Sequence, residues 1–289
     1  MNRMSTSLAG NGLSSDWSAE LRRNAEIQKF CLGISLESAF VTFYPSIGVT
    51  PINRLLKYIS AVSNSAFWPA LAKGIMPTVE HLEPLRSLAP STIIDVGANK
   101  GQFSVAARHL FPNATIHAFE PLESERRGYR SVVAEPYKLH HQALGAVKGK
   151  APFFVASRAD SSSLLVPGKN QEVAYGVSRA KTIEVEVERL AEILDPQDLV
   201  EPVLLKLDVQ GAELEVLEGA ETILPAVDAV YCEMSFIELY QRQPTANKVI
   251  SILDRYDFVL RGVFNISRTK PFGQTQADFL FVKETKQIT

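Results

Sequence analysis

Residues 92–101 read TIIDVGANKG, a short apolar run that ends in a glycine-rich turn. The run Thr92–Val96 predicts a buried strand, and the residues from Gly101 to Leu110 predict the helix that follows it. Glycines at such a junction let the backbone turn tightly and come close to a ligand. Because ligands of open α/β sheets bind at the carboxyl ends of the strands, this stretch predicts a nucleotide-type binding site.

The same alternation of strand and helix continues toward the C-terminus. Further strands are predicted at 115–119, 137–143, 203–208 and 226–233. This alternation is typical of a parallel sheet with helices on both faces, an α/β fold. Phe258–Val263 and Ala277–Val282 have no clear helix between them, which predicts an antiparallel hairpin at the end of the chain.

The N-terminal part of the chain has a helical character instead. Helices are predicted at Asp16–Lys29 and at Pro51–Asn64, where apolar residues recur at spacings of three and four. About the first 15 residues are expected to be mobile. We therefore divide the chain into a helical accessory segment, 1–84, and a ligand-binding domain, 85–289. The segment could cover the site or form a homodimer interface.

Composition narrows the classes of protein. The chain has 289 residues, of which 46% are hydrophobic and 21% charged, which argues against disorder. A net charge of -2 without a basic stripe argues against a nucleic-acid partner. Cys31 and Cys232 are too few and too far apart for a disulfide framework, so a cytoplasmic location is favoured. No signal peptide or transmembrane segment is expected.

A carboxylate beside the glycine turn discriminates between nucleotide ligands. Nicotinamide dinucleotides need G-x-G-x-x-G around their pyrophosphate, but Ala98 and Asn99 stand where the second glycine is required. Asp95 would repel a pyrophosphate, whereas it suits a cationic amino acid portion. We therefore expect S-adenosylmethionine as the cofactor, and a nicotinamide-dependent oxidoreductase is the alternative.

Glu120 is the second candidate for a cofactor contact. It ends the predicted second strand, 23 residues after Gly97, within Phe119-Glu120-Pro121. An acidic side chain at this place can accept hydrogen bonds from both ribose hydroxyls. The alternative is that Glu120 only caps the next helix.

Several motifs, taken in order, resemble the FkbM family of S-adenosylmethionine-dependent methyltransferases. These are Asp95–Ser104 (D-V-G-A-N-x-G-x-F-S), Phe119–Pro121 (F-E-P), Gln142–Gly145, and Leu205–Glu213 (K-x-D-V-[EQ]-G-x-E). The resemblance spans roughly residues 85–283. It implies a Rossmann-like class I methyltransferase fold with a mostly parallel seven-stranded sheet. It also implies an O-methyltransferase that acts on a hydroxyl of a sugar, glycan or other secondary metabolite.

Site residues follow from the strand ends and from this resemblance. Asp208 and then Glu233 are the predicted catalytic residues, since carboxylates at strand ends can remove a hydroxyl proton. The predicted cofactor contacts are Asp95, Gly97, Ala98, Asn99, Gly101, Phe103, Glu120, Pro121, Ala143, Leu144 and Asp208. Asp208 and Glu233 could instead bind Mg²⁺, but such sites usually need more oxygen ligands than two side chains, so the metal is not favoured.

Two further alternatives stay open. The chain could be a binding module that keeps the fold without catalysis, although the joint presence of the motif carboxylates argues against it. His140 or His141 could serve as a general base, but a loop histidine without a catalytic role is favoured. His81 shows no metal-ligand spacing to any other histidine.

Overall fold

A seven-stranded sheet organises residues 51–284, the part of the chain that the computed structural model describes. The strands are β1 (Thr92–Val96), β2 (Thr115–Phe119), β3 (Tyr137–His140), β4 (Ala143–Leu144), β5 (Gly149–Ala156), β6 (Arg179–Glu188), β7 (Val203–Leu207), β8 (Ala229–Ser235), β9 (Phe258–Thr269) and β10 (Gly273–Lys283). The main sheet has the order β3-β2-β1-β7-β8-β10-β9. Only β10 runs in the opposite direction to the other six strands, which confirms the predicted mostly parallel sheet and its terminal hairpin.

Helices cover both faces of this sheet, as predicted. They are α1 (Pro51–Ser63), α2 (Trp68–Leu71), α3 (Leu82–Leu85), α4 (Gln102–Leu110), α5 (Glu123–Val132), α6 (Lys169–Tyr175), α7 (Leu190–Ile193), α8 (Glu213–Glu218) and α9 (Ala246–Asp254). Adjacent residues of β1 point to opposite faces. Ile94 packs in one cluster with α8 and α9, and Ile93 packs in another with α4 and α5. The apolar run that predicted β1 is therefore buried on both sides.

A second, three-stranded sheet lies between β3 and β7 in the chain, with the order β4-β6-β5. The predicted third strand, 137–143, is wrong at its end, because β3 stops at His140 and Ala143 pairs with Val187 of β6. The backbone N–H of Gly145 donates to the carbonyl of Glu188, 3.0 Å away. The chain thus leaves the main fold at residue 145 and returns to it at residue 188, and one backbone hydrogen bond joins these two residues.

The described part of the N-terminal segment packs on the main domain. Helix α1 confirms the predicted helix there, whereas the helix predicted at 16–29 lies outside the described residues. Ala61, Phe67 and Ala70 are at most 1% exposed and share a hydrophobic cluster with β1 and β2. The segment therefore completes one face of the core. Over residues 51–284, a search of the helices finds none that could serve as a membrane-spanning segment.

Candidate active site

A cavity of about 890 Å³ opens at the carboxyl ends of β1, β2, β7 and β8. Ligand sites of open α/β sheets lie at this edge, and the volume is within the range of small-molecule sites. The predicted site residues that line the cavity are Gly97, Ala98, Asn99, Phe103, Glu120, Pro121, Ala143, Leu144, Asp208 and Glu233. Asp95 and Gly101 lie behind its wall.

The glycine turn after β1 passes directly over the end of β7. Gly97 has a φ of +78°, and a Cβ built on it would lie 1.9 Å from the backbone oxygen of Asp208. The N–H groups of Gly97 and Ala98 both donate to the carbonyl of Phe119, which fixes the turn to β2. Only glycine fits where the turn passes over the end of β7. The turn forms the floor of the cavity.

Glycine is needed at residue 101 for a separate, structural reason. A Cβ there would lie 2.5 Å from Cγ2 of Val133, and its φ is +88°. Gly101 therefore lets α4 begin close to the end of α5. A contact between Gly101 and a cofactor stays a prediction, because this residue does not line the cavity.

Glu120 is a buried carboxylate that connects two loops. Its Oε2 accepts from the N–H of Asn99 at 3.0 Å, and its Oε1 accepts from the N–H of Leu122 at 2.8 Å. Burial raises the pKa of Glu120 to about 7, although both N–H donors oppose the shift. Because each carboxylate oxygen can accept more than one hydrogen bond, Glu120 can fix the loops and also bind a diol in the cavity.

Asp95 forms a buried ion pair instead of facing the cavity. It is 0% exposed, Lys206 Nζ lies 3.0 Å from its Oδ1, and Ser104 Oγ donates to its Oδ2 at 2.7 Å. Burial lowers the pKa of Lys206, but Asp95 and Asp208 outweigh it, so the pKa ends above its ordinary value. The charge of Asp95 is thus compensated by Lys206. Direct contact of Asp95 with a cofactor stays a prediction. The negative charge that would repel a pyrophosphate must instead come from the carboxylates that line the cavity.

Asp208 and Glu233, the predicted catalytic pair, share one amide. Gln210 Nε2 donates to Asp208 Oδ1 at 2.7 Å and to Glu233 Oε2 at 2.9 Å. The other oxygen of Glu233, Oε1, accepts from Gln276 Nε2 at 2.6 Å. Burial and the neighbouring Asp208 raise the pKa of Glu233 well above its usual range. Asp208, whose side chain is 39% exposed, is the more accessible carboxylate.

A third carboxylate extends this pair across the sheet. Asp278 of β10 lies directly opposite Glu233 of β8, so their side chains share the cavity face. Asp278 Oδ2 accepts from the Tyr231 hydroxyl at 3.1 Å and from Asn265 Nδ2 at 2.8 Å. Burial raises the pKa of Asp278, while the nearby His81 opposes the shift. Asp278 was not among the predicted site residues.

The geometry does not support a magnesium site. Both oxygens of Glu233 already accept amide N–H groups, so they face donors rather than a cation. Within residues 51–284, no group of three or more His, Cys, Asp or Glu side chains is arranged to hold a metal ion. Mg²⁺ can bind through one or two carboxylates together with waters, but here Asp208 Oδ1 and Glu233 Oε2 both accept from the Gln210 amide.

The second sheet supplies another wall of the cavity. Its cavity-lining residues are Ala143, Leu144, Phe153, Arg158, Ala159, Asp160, Ser161, Ser162 and Leu164. An ion pair of 2.9 Å joins Arg158 to Asp160 at the rim. This wall is apolar near β4 and polar near the rim. It therefore suits a flat ring on one side and a hydroxyl-bearing ligand on the other.

The strand order and the cavity define the class of protein. A sheet ordered β3-β2-β1-β7-β8-β10-β9 with one antiparallel strand, and a glycine turn and acidic strand ends at one edge, is the class I methyltransferase fold. A sequence model of the Methyltransferase FkbM domain matches residues 95–260, more than half of the chain. The chain therefore belongs to the FkbM methyltransferase family, which confirms the resemblance inferred from its motifs.

Similar proteins include two curated relatives. Methyltransferase 1 of Beauveria bassiana is 29% identical over 146 residues, or 45% of this chain, and the chain spans 59% of that relative's length. The 2-O-methyltransferase NoeI of Sinorhizobium fredii is 26% identical over 223 residues, covering 72% of this chain and 92% of the relative. Among solved structures, Aeropyrum pernix fibrillarin with bound S-adenosyl-L-methionine is 14% identical, covers 71% of this chain and 73% of that chain, and has a TM-score of 0.39.

Proposed function

We propose that this protein is an S-adenosylmethionine-dependent O-methyltransferase that acts on a hydroxyl of a small-molecule or glycan acceptor. The observation that carries the proposal is the accessible carboxylate of Asp208 beside the glycine turn, in a wall that also contains Glu233 and Asp278. A sulfonium is a cation, so an acidic wall stabilises it where a pyrophosphate would be repelled. A base with a free lone pair in the same cavity can take the proton of an acceptor hydroxyl.

The cavity offers a place for each part of the cofactor. Glu120 would accept the ribose hydroxyls, and the turn at Gly97 would lie under the amino acid portion. The apolar wall at Ala143 and Leu144 would contact the adenine. S-adenosylmethionine supplies an electrophilic methyl group when it is bound. The protein's own part is to orient the acceptor and to exclude water from the reacting atoms.

Oxygen as the methylated atom is supported by one relative. The Sinorhizobium fredii protein is named a 2-O-methyltransferase, and its alignment covers 72% of this chain. Neutral polar side chains, among them Gln276 and Asn265, line the acceptor half of the cavity. They are suited to hydrogen bonds with the hydroxyls of a sugar.

Cofactor binding is tested first, by thermal unfolding of the full chain with S-adenosylhomocysteine or with NADH. At about 100 times its dissociation constant, a ligand stabilises the folded state by about 2.7 kcal/mol. For a chain of this size we expect a rise in Tm of about 5 °C with S-adenosylhomocysteine and none with NADH. The reverse result would identify an oxidoreductase. Stabilisation by neither ligand would indicate a binding module of another kind.

The acceptor class is tested by transfer of a tritiated methyl group. We would incubate the protein with S-adenosyl-[methyl-³H]methionine and a panel of methyl hexopyranosides, deoxyhexopyranosides and phenols. Mass spectrometry after base treatment separates stable ethers from labile esters. Label in an ether supports the proposal. Label only in carboxyl or amine compounds that are added as controls would contradict O-methylation of a hydroxyl.

A further inference from the structure

A histidine from outside the family motifs lies on the acceptor side of the cavity. His81 ends a short 3-10 turn, Val79–His81, and its side chain is 15% exposed. Its ring packs against Phe103 at 5.8 Å between centroids, and both residues line the cavity. Phe103 follows the glycine turn directly. The ring of His81 is thus next to the predicted position of the cofactor's amino acid portion.

The ring of His81 is held by one nitrogen. His81 Nδ1 lies 2.9 Å from the hydroxyl oxygen of Tyr231, 3.4 Å from Asp278 Oδ2 and 3.4 Å from Asn265 Nδ2. Among the residues that the structure describes, every hydrogen-bond contact of the ring is made through Nδ1. Nε2 is on the opposite side of the ring and is left for a ligand in the cavity.

The hydrogen bonds around Asp278 favour the neutral tautomer that carries its proton on Nδ1. Tyr231 donates its hydroxyl proton to Asp278, and Asn265 also donates to Asp278. The Tyr231 oxygen, 2.9 Å from Nδ1, and the Asp278 carboxylate can then both accept the proton of Nδ1. The Asn265 amide is also 3.4 Å from Nδ1 and cannot accept that proton, but its shorter contact, 2.8 Å, is the one it donates to Asp278. Nε2 then has the lone pair. A carboxylate that holds Nδ1–H in this way also stabilises the imidazolium that forms when Nε2 takes a proton.

We propose that His81 is the general base of methyl transfer and that Asp278 positions it; this inference rests on the proposed O-methyltransferase function. The acceptor hydroxyl gives its proton to His81 Nε2 while its oxygen forms a bond to the methyl carbon. The carbon–sulfur bond breaks, and its electron pair stays on sulfur, which becomes a neutral thioether. The imidazolium then releases its proton to solvent.

The surroundings favour His81 over the strand-end carboxylates for this role. Both oxygens of Glu233 are occupied by the amides of Gln210 and Gln276. Asp208 lies 3.8 Å from the Lys206 ammonium and accepts a hydrogen bond from Gln210. These two donors already stabilise its negative charge. Asp208 and Glu233 then act on the cationic donor side.

The titratable groups around His81 come from four elements. Glu80 precedes it in the same turn and forms an ion pair of 2.8 Å with Lys57 of α1. Tyr231 reaches it from β8 and Asp278 from β10. Burial raises the pKa of the Tyr231 hydroxyl far above its ordinary value, so Tyr231 stays neutral across the working pH range. The charges that stabilise an imidazolium at residue 81 are therefore Asp278 and Glu80.

Kinetics test the assignment with whichever glycoside the tritium assay shows to be methylated. We expect His81→Gln to lower kcat by about 10²- to 10⁴-fold, the usual contribution of a general base, with the affinity for S-adenosylhomocysteine unchanged. The acidic limb of the pH profile of kcat/KM should disappear in this variant. Asp278→Asn should lower kcat less and displace the acidic limb. His109→Gln, an exposed histidine outside the cavity, is the matched control.

An unchanged kcat or an unchanged acidic limb in His81→Gln would overturn the proposal. A loss of S-adenosylhomocysteine binding in that variant would give His81 a binding role instead. If the wild-type chain binds the cofactor but methylates nothing in the panel, the acceptor class of the proposed function fails. The tautomer of the His81 ring then tests the inference without an acceptor.

The ring is observed directly in the full chain labelled with ¹⁵N-histidine. Two-bond ¹H–¹⁵N spectra distinguish the two neutral tautomers, and the signals of His81 are assigned by their loss in His81→Gln. We expect Nδ1–H in the wild type and a mixture of tautomers in Asp278→Asn. A ring protonated at Nε2, or one unaffected by Asp278→Asn, would contradict the proposal whatever the acceptor is.

Discussion

At the scale of single residues, a substitution of Glu120 separates two roles, the capping of backbone N–H groups and the binding of the ribose. Its oxygens accept backbone N–H groups from Asn99 and Leu122, and the same carboxylate faces the cavity. If it also accepts the ribose hydroxyls, Glu120→Ala should weaken S-adenosylhomocysteine binding by about 1 to 3 kcal/mol, measured by calorimetry. Glu184→Ala, an exposed glutamate of β6, is the control. Equal affinities in both variants would argue for the capping role alone.

The buried pair of Asp95 and Lys206 makes a second prediction at this scale. Lys206→Met leaves the carboxylate of Asp95 without its cation in a site that is 0% exposed. We expect the free energy of unfolding to fall by about 3 to 5 kcal/mol, because an unpaired buried charge is costly. Adding Asp95→Asn should recover part of that loss in urea titrations. A double variant less stable than Lys206→Met would refute this account.

At the scale of elements, the turn between β1 and α4 depends on one close approach. A Cβ at residue 97 would lie 1.9 Å from the backbone oxygen of Asp208, so Gly97→Ala must displace the turn or the end of β7. We expect at least about a tenfold loss of S-adenosylhomocysteine affinity, equal to about 1.4 kcal/mol, together with a lower Tm. Gly149→Ala is the control, since a Cβ there meets nothing within 4 Å. Retained affinity in Gly97→Ala would show that the turn is not part of the site.

The loop between β7 and α8 makes stability depend on pH. Glu213 Oε1 accepts from the N–H groups of Val209 and Gly211, and burial raises the pKa of Glu213 to about 7. The folded state thus holds this proton more tightly than the unfolded chain does. Its stabilising contribution is complete below about pH 4.5 and is lost as the pH rises toward about 7, by about 3 kcal/mol.

Glu213→Gln keeps the accepting oxygen and removes the charge. The fall in unfolding free energy between pH 5 and pH 7 should therefore be smaller in this variant than in the wild type. Glu218→Gln, an exposed glutamate of the same helix, should leave the slope unchanged. Identical slopes in the wild type and Glu213→Gln, measured by urea titration at both pH values, would refute the assignment.

Local patterns predicted the main sheet because each of its core strands is an apolar run next to a turn signal. The ends of those strands also predicted Glu120, Asp208 and Glu233, which line one cavity. The second sheet was missed, although the alternating residues of β6 carried a period-2 signal in which Val185 and Val187 face inward. His81 and Asp278 were not predicted as site residues for another reason. Their contact joins positions 197 residues apart, which no local pattern contains.

At the scale of the molecule, three separate parts of the chain enclose the cavity. The glycine turn forms its floor, the second sheet forms one wall, and the segment before β1 contributes Glu80 and His81 to the other. A ligand that touches all three should couple their motions. We expect S-adenosylhomocysteine to slow amide hydrogen exchange in the turn and at residues 142–144 and 158–162, but not in α9. Protection restricted to the turn would place the ligand outside the enclosed space.

The hydrogen bond from Gly145 to Glu188 has a practical consequence for engineering. Because the chain leaves and re-enters the main fold at neighbouring points, the cost of closing the segment between them changes only slowly with its length. The 42 intervening residues, 146–187, nevertheless share a hydrophobic cluster with Leu239 and Tyr240 of the main domain, so an exchange must keep that contact. Chimeras that take this segment from a relative but keep Tyr175 and Val177 would alter the rim at Arg158 and Asp160, and with it the range of acceptors admitted.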